Sequence, residues 1–224
     1  MSLTLVIGNR NYSSWSLRAW LYLRESGLEF EEVFVSLHTD NWREEVAKYS
    51  PAGRVPILID DGTTVWDSTA IMSHLLDRYP GAVGWPADPN ERALARSISA
   101  EMHSGFLAIR ETLPQNIRIR RTTTLSDVCQ TQINRVQTIW RDCRERCGHR
   151  GPWLFGDFSI ADVMFVPVAL RFLSYGIPVP EPAAEFMRAT LALPSVQDWV
   201  RTAQDEGLAL GFVDNLGKGD MILG

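Results

Sequence analysis

Three serines and a tyrosine crowd the stretch N-Y-S-S-W-S, residues 11–16, at the head of a segment with helical spacing. A hydroxyl at a helix start accepts a hydrogen bond from an otherwise unpaired backbone N–H, so capping accounts for Ser13, Ser14 or Ser16. The same hydroxyl can donate to an anion drawn to the positive helix end, a thiolate included. W-D-S-T-A-I (66–71) sets Asp67 and Ser68 where a strand gives way to a helix. Capping explains that pair too, but a carboxylate, a hydroxyl and helix N–H groups can equally clamp the ammonium and carboxylate of an amino acid. In G-R-V-P-I-L (53–58), Pro56 marks the entry of a buried strand. A cis Val55-Pro56 bond would instead turn the Val55 backbone outward to pair with an extended peptide. His103, in E-M-H-S-G-F, is by itself an ordinary helix histidine. Ser159 and Asp162 have the S-x-x-D spacing of a capping box, with Phe158 placed for a staple, which is a structural role.

The elements around these residues alternate at first. Leu3 to Ile7 reads as a strand, Trp15 to Ser26 as a helix stopped by Gly27, and Glu31 to Leu37 as a strand. Trp42 to Tyr49 is a short helix, V-P-I-L-I-D (55–60) a buried strand, and D-D-G-T (60–63) a hairpin turn into Thr64–Trp66. Ser68 to Tyr79 is helical. The order βαβαββα fits a thioredoxin-like layer of sheet and helices. Residues 79–89, with three prolines and two glycines, read as a linker. Beyond it every segment has helical spacing: Glu91–Ile109, Leu125–Arg146, Ile160–Phe172, Pro182–Leu191 and Ser195–Glu206. The expected class is α/β plus all-α, divided into 1–80, a linker 81–89 and a helical domain 90–224.

Bulk properties narrow the chemistry. With 224 residues, 45% hydrophobic and 22% charged, the chain has an ordinary globular composition. A net charge of -5 argues against a nucleic-acid surface, and no run approaches the ~20 apolar residues of a membrane span. Three cysteines, all in the second half, favour a reducing cytoplasm over a disulfide framework. Cys143 and Cys147 lack further ligands at metal spacing, so no metal is expected.

Taken together, these pieces resemble the cytosolic glutathione transferase family along essentially the whole chain. S-S-W-S-L-R resembles the S-S-C-x-x-R signature of the zeta class. V-P-I-L followed by D-S-T-A-I is similar to the family's V-P-x-L and E/Q-S-x-A-I pair, and G-D-F-S-I-A-D to its G-x-x-[S/T]-x-A-D motif. E-M-H-S-G-F is similar to a beta-class segment whose histidine lies at the glutathione site. The resemblance implies glutathione as co-substrate, a small hydrophobic electrophile bound between the domains, and a homodimer. It puts Ser13 on the glutathione sulfur, with Ser14 the second candidate and Tyr12 a third. It puts Val55 and Pro56 on the cysteinyl unit, Asp67 and Ser68 on the γ-glutamyl end, Arg54 towards the glycyl end and His103 nearby. Lowering a thiol pKa from ~8.5 to ~6.5 takes about 2.7 kcal/mol. A hydrogen bond to a charge supplies roughly 1.5–3 kcal/mol and a helix end roughly 0.3–1, so one serine suffices. Trp15 stands where the zeta signature has cysteine, which argues against a zeta-type isomerase. A glutathione-dependent isomerase or peroxidase, or a non-catalytic module that binds ligands or proteins, would also be compatible with this fold.

Overall fold

The computed structural model describes residues 2–215. Its first part is a four-stranded sheet built on β1 (Leu3–Ile7), followed by α1 (Ser14–Glu25), β2 (Glu31–Phe34), α2 (Trp42–Ala47), β3 (Ile57–Asp60), β4 (Thr63–Trp66) and α3 (Ser68–Arg78). The strand order is β2-β1-β3-β4. β1 runs parallel to β2 across the α1 crossover, with Val6 opposite Val33. β3 is antiparallel to both β1 and β4. Asp61 and Gly62, at φ 46° and 87°, make the two-residue turn between β3 and β4. Period-two alternation sorts the strand residues between two layers. Leu3, Leu5, Ile7 and Leu58 join Leu17 and Leu21 of α1 and Ile71, Met72 and Leu75 of α3 in the main core. Val6 and Ile57 face the other way, onto Val35 and Val46 of the α2 side.

The rest is helical: α4 (Pro89–Ser104), α5 (Leu107–Thr112), α6 (Asp127–Cys147), α7 (Ile160–Ser174), α8 (Ala183–Ala192), α9 (Pro194–Asp205) and the single turn α10 (Gly211–Asp214). α7 is the axis, buried along nearly its whole length, and it packs against both α4 and α1. Its start is held by Asp162, whose carboxylate accepts from Leu154 N, Ser159 N and Ser159 Oγ, each at 2.8 Å. Burial pushes that carboxyl up to about 6 against those hydrogen bonds. Among the described residues no helix is long and apolar enough to cross a membrane.

Two expectations need correction. The single helix expected over Glu91–Ile109 is broken after Ser104. Gly105 allows the break, because a Cβ there would lie 2.7 Å from the Glu101 carbonyl oxygen, and Phe106 then turns left-handed at φ 58°. The strand expected from Val55 begins instead at Ile57, beyond a cis Val55-Pro56 bond that leaves Val55 outside the ladder.

Candidate active site

Two adjoining cavities bring all the sequence-derived site residues together. The smaller, about 320 Å³, is lined by Ser13, Ser14, Arg54 and Val55 with Asn9, Tyr12, Trp15, Leu37, His38, Trp42, Gly53 and Leu210. The larger, about 460 Å³, is lined by Arg54, Val55, Pro56, Asp67, Ser68 and His103 with Trp15, Ala52 and Trp66. Trp15, Arg54 and Val55 belong to both, so the two cavities share a wall.

At the head of α1, Ser13 is the N-cap: its Oγ accepts from Ser16 N at 3.3 Å, and the Ser13 and Ser16 hydroxyls are 2.8 Å apart. Ser16 is fully buried and its Oγ also accepts from Gly8 N at 3.1 Å. A hydroxyl has one hydrogen and two lone pairs. Ser13 Oγ donates to Ser16 Oγ, so it reaches a cavity ligand by rotating its O–H away from Ser16. Capping uses a lone pair and ligand binding uses the hydrogen once it turns from Ser16, so one serine can serve both. Ser14 Oγ instead accepts from Arg171 Nη2 of α7 at 3.2 Å. Tyr12 is committed elsewhere: its Oη sits 2.8 and 2.9 Å from the Asp214 carboxylate oxygens and accepts from Arg118 Nη2 at 2.8 Å and Leu210 N at 3.0 Å.

The larger cavity ends at the start of α3. Asp67 holds a left-handed backbone, φ 75°, a conformation that costs a non-glycine residue on the order of 1 kcal/mol or more. Its carboxylate accepts from Thr69 N at 2.9 Å and Thr69 Oγ1 at 2.6 Å, and lies 3.3 Å from His103 Nε2. His103 Nδ1 is 3.1 Å from Thr69 Oγ1, so the second half of the chain reaches this corner through that histidine. Ser68 is 1% exposed, and among the described residues its Oγ has no hydrogen-bond partner. A buried, unpaired hydroxyl beside a helix N-terminus suits a ligand carboxylate. Spacing along the chain assigns Thr69 and Ser16 no part in the site; the geometry of their neighbours does.

Behind the site lie three arginines that local sequence patterns do not flag as a group. Arg18 is buried, donating to Met164 O at 3.0 Å and Ser14 O at 3.3 Å, and burial together with Arg110 and Arg171 pushes its pKa well down. Arg171 is held by Leu113 O and Ser14 Oγ, and burial with Arg110 nearby lowers it to about 9. Arg18 and Arg110 stack on Trp15, 4.5 and 4.6 Å from its ring centroid. Among the described residues no group of His, Cys, Asp or Glu is arranged to hold a metal.

A thioredoxin-like sheet is followed by a helical second part, and hydroxyls at the starts of α1 and α3 line two adjoining cavities. The family model described as "Glutathione S-transferase, N-terminal domain" matches residues 12–78. The chain is 30% identical over 164 residues to "Maleylacetoacetate isomerase" of Mus musculus, covering 70% of this chain and 72% of the relative. A 97-residue match, 32% identical, to "Probable maleylacetoacetate isomerase" of Caenorhabditis elegans spans only 43% of this chain and 44% of that protein. A glutathione transferase homolog from Burkholderia GL BGR1, solved with bound glutathione, superposes with TM-score 0.71 at 29% identity, covering 92% of this chain and 100% of that one. The chain belongs to the glutathione S-transferase family.

Proposed function

We propose that this glutathione S-transferase holds the tripeptide in the larger cavity and uses the Ser13 hydroxyl to favour its thiolate for attack on a small hydrophobic electrophile in the smaller one. The observation that carries the reading is the pair of helix starts opening onto joined cavities. Ser68, buried and unpaired at the start of α3, suits the γ-glutamyl carboxylate, and Ser13 at the start of α1 suits the sulfur. Asp67, beside His103, receives the α-ammonium; Val55, outside the strand ladder, offers its backbone to the cysteinyl unit; Pro56 shapes the turn; and Arg54 faces the glycyl carboxylate. Ser13 acts as a hydrogen-bond donor and forms no covalent bond. Ser16 positions it: its N–H donates to Ser13 Oγ, and its Oγ accepts the Ser13 hydrogen until the thiolate takes that hydrogen. Tyr12, saturated by Asp214, Arg118 and Leu210, is the weakest of the three hydroxyl candidates.

A second reading, a glutathione-dependent isomerase, draws support from the relatives named maleylacetoacetate isomerase, while Trp15 in place of the zeta-class cysteine weighs against it. In this proposal residues 1–80 bind glutathione, 81–89 link, and 90–224 complete the electrophile pocket, in a cytoplasmic homodimer. The exposed Trp66, at 47%, and Leu107, at 62%, fit a surface that a second copy covers. Calorimetric titration with glutathione, followed by turnover of an electrophile panel, tests the assignment. Binding with turnover is expected; absence of glutathione binding would overturn it.

A further inference from the structure

Two hydrogen-bond donors of the smaller cavity have no task in holding the thiolate. Asn9 is 1% exposed; its Oδ1 accepts from Leu37 N at 2.8 Å, and among the described residues its Nδ2 has no partner. Ser14 is 5% exposed; its Oγ accepts from Arg171 Nη2 at 3.2 Å, and among the described residues its hydrogen has no acceptor. Both residues line the same cavity as Ser13. A buried donor without an acceptor is costly, and with both residues lining one cavity the acceptor that suits them is a ligand oxygen. Arg171 strengthens one donor. Arg171 is 7% exposed, it also donates to the Leu113 carbonyl, and its cationic neighbours are Arg18 and Arg110. A hydroxyl that accepts from a cation in a poorly solvated setting is a better donor in turn.

We propose that Ser14, together with Asn9, donates to an acceptor oxygen on the electrophile, with Arg171 as the residue that positions Ser14 from the helical part. The inference rests on the glutathione reading and gives the second substrate a chemical class. Preferred electrophiles are those in which attack loads negative charge onto an oxygen, carbonyl and nitro compounds above alkyl halides. For an enone, the sulfur–carbon bond forms at the β-carbon while the carbon–carbon π pair moves to make an enolate oxygen, which takes the Ser14 hydrogen bond. The α-carbon then takes a proton from water, balancing the proton the thiol released to solvent, and the net change is addition of the thiol across the double bond. An alkyl halide expels halide instead and puts no charge on oxygen, so Ser14 has nothing to stabilise.

The test compares 4-phenyl-3-buten-2-one with benzyl bromide in the wild type, Ser14→Ala, Arg171→Lys and Arg171→Met, alongside ultraviolet titration of the bound glutathione thiolate. Loss of one donor to a developing oxyanion costs on the order of 10²-fold, so Ser14→Ala should cut kcat/KM by about that factor for the enone. Its loss on benzyl bromide should be far smaller than on the enone, and its thiolate pKa should stay near wild type. Arg171→Met should show a smaller loss on the enone alone, and Arg171→Lys should recover part of it. Equal losses on both substrates, no loss on either, or a raised thiolate pKa in Ser14→Ala would overturn the inference. Should the variants fail to fold, the wild type decides: its acceleration over the spontaneous glutathione reaction must be larger for the enone, and the reverse order refutes the role. Failure of the wild type to bind glutathione would remove the functional reading and this inference together, whereas the outcomes above remove the inference alone.

Discussion

Ser68→Ala is expected to strengthen the free protein while weakening its hold on glutathione. The two effects come from one atom. Ser68 Oγ is buried and unpaired, and an unsatisfied buried polar group costs about 1–3 kcal/mol. Removing it returns that amount, and alanine adds a few tenths of a kcal/mol through helix propensity. For a chain of this size each kcal/mol raises Tm by roughly 2–4 °C. In the complex the same hydroxyl donates to a carboxylate, a charge-assisted bond worth about 1.5–3 kcal/mol, so Kd should rise by about 10- to 150-fold. Chemical denaturation of the free protein and calorimetry with glutathione read the two quantities separately. A variant that is less stable, with Kd unchanged, would refute the reasoning, because it would mean that the hydroxyl serves the fold and not the ligand.

Other outcomes follow from the same geometry. Ser13→Ala should raise the bound thiolate pKa by about 1–2 units, from loss of a 1.5–3 kcal/mol hydrogen bond, and should also cost about 1 kcal/mol of stability through the lost cap. Tyr12→Phe should leave that pKa unchanged but lower stability to denaturant by about 1–3 kcal/mol, since it strips partners from Asp214, Arg118 and Leu210 N. Asp162 is raised to about 6 in the fold, against about 3.9 in the unfolded chain, so between those values the folded state binds the proton more tightly. Its contribution to stability is therefore full below about pH 4 and lost as pH rises through about 6, and Asp162→Asn should flatten stability against pH in that window.

The fold was legible where the pattern was local. Alternation in Leu3–Ile7, the hairpin turn at Asp61–Gly62 and the capping box at Ser159 and Asp162 each rest on neighbours a few residues apart. The break after Ser104 was missed because helical spacing continues through it, and the decisive contact is between Gly105 and the Glu101 carbonyl. Within the site, the helix-start hydroxyls could be picked out from spacing and resemblance. Which partners each hydroxyl takes could not, since that depends on Gly8, Arg118, Arg171 and Asp214 converging from distant parts of the chain. The arginine cluster was hidden for the same reason: Arg18, Arg110 and Arg171 are far apart in sequence and meet only where α1 packs on α7.

The thiolate pKa of glutathione bound to the wild-type protein, read by ultraviolet absorbance across pH, tests the role of Ser13 most directly. A hydrogen bond from Ser13 at the head of α1 predicts a pKa about two units below that of a free thiol. A value equal to that of free glutathione would contradict it.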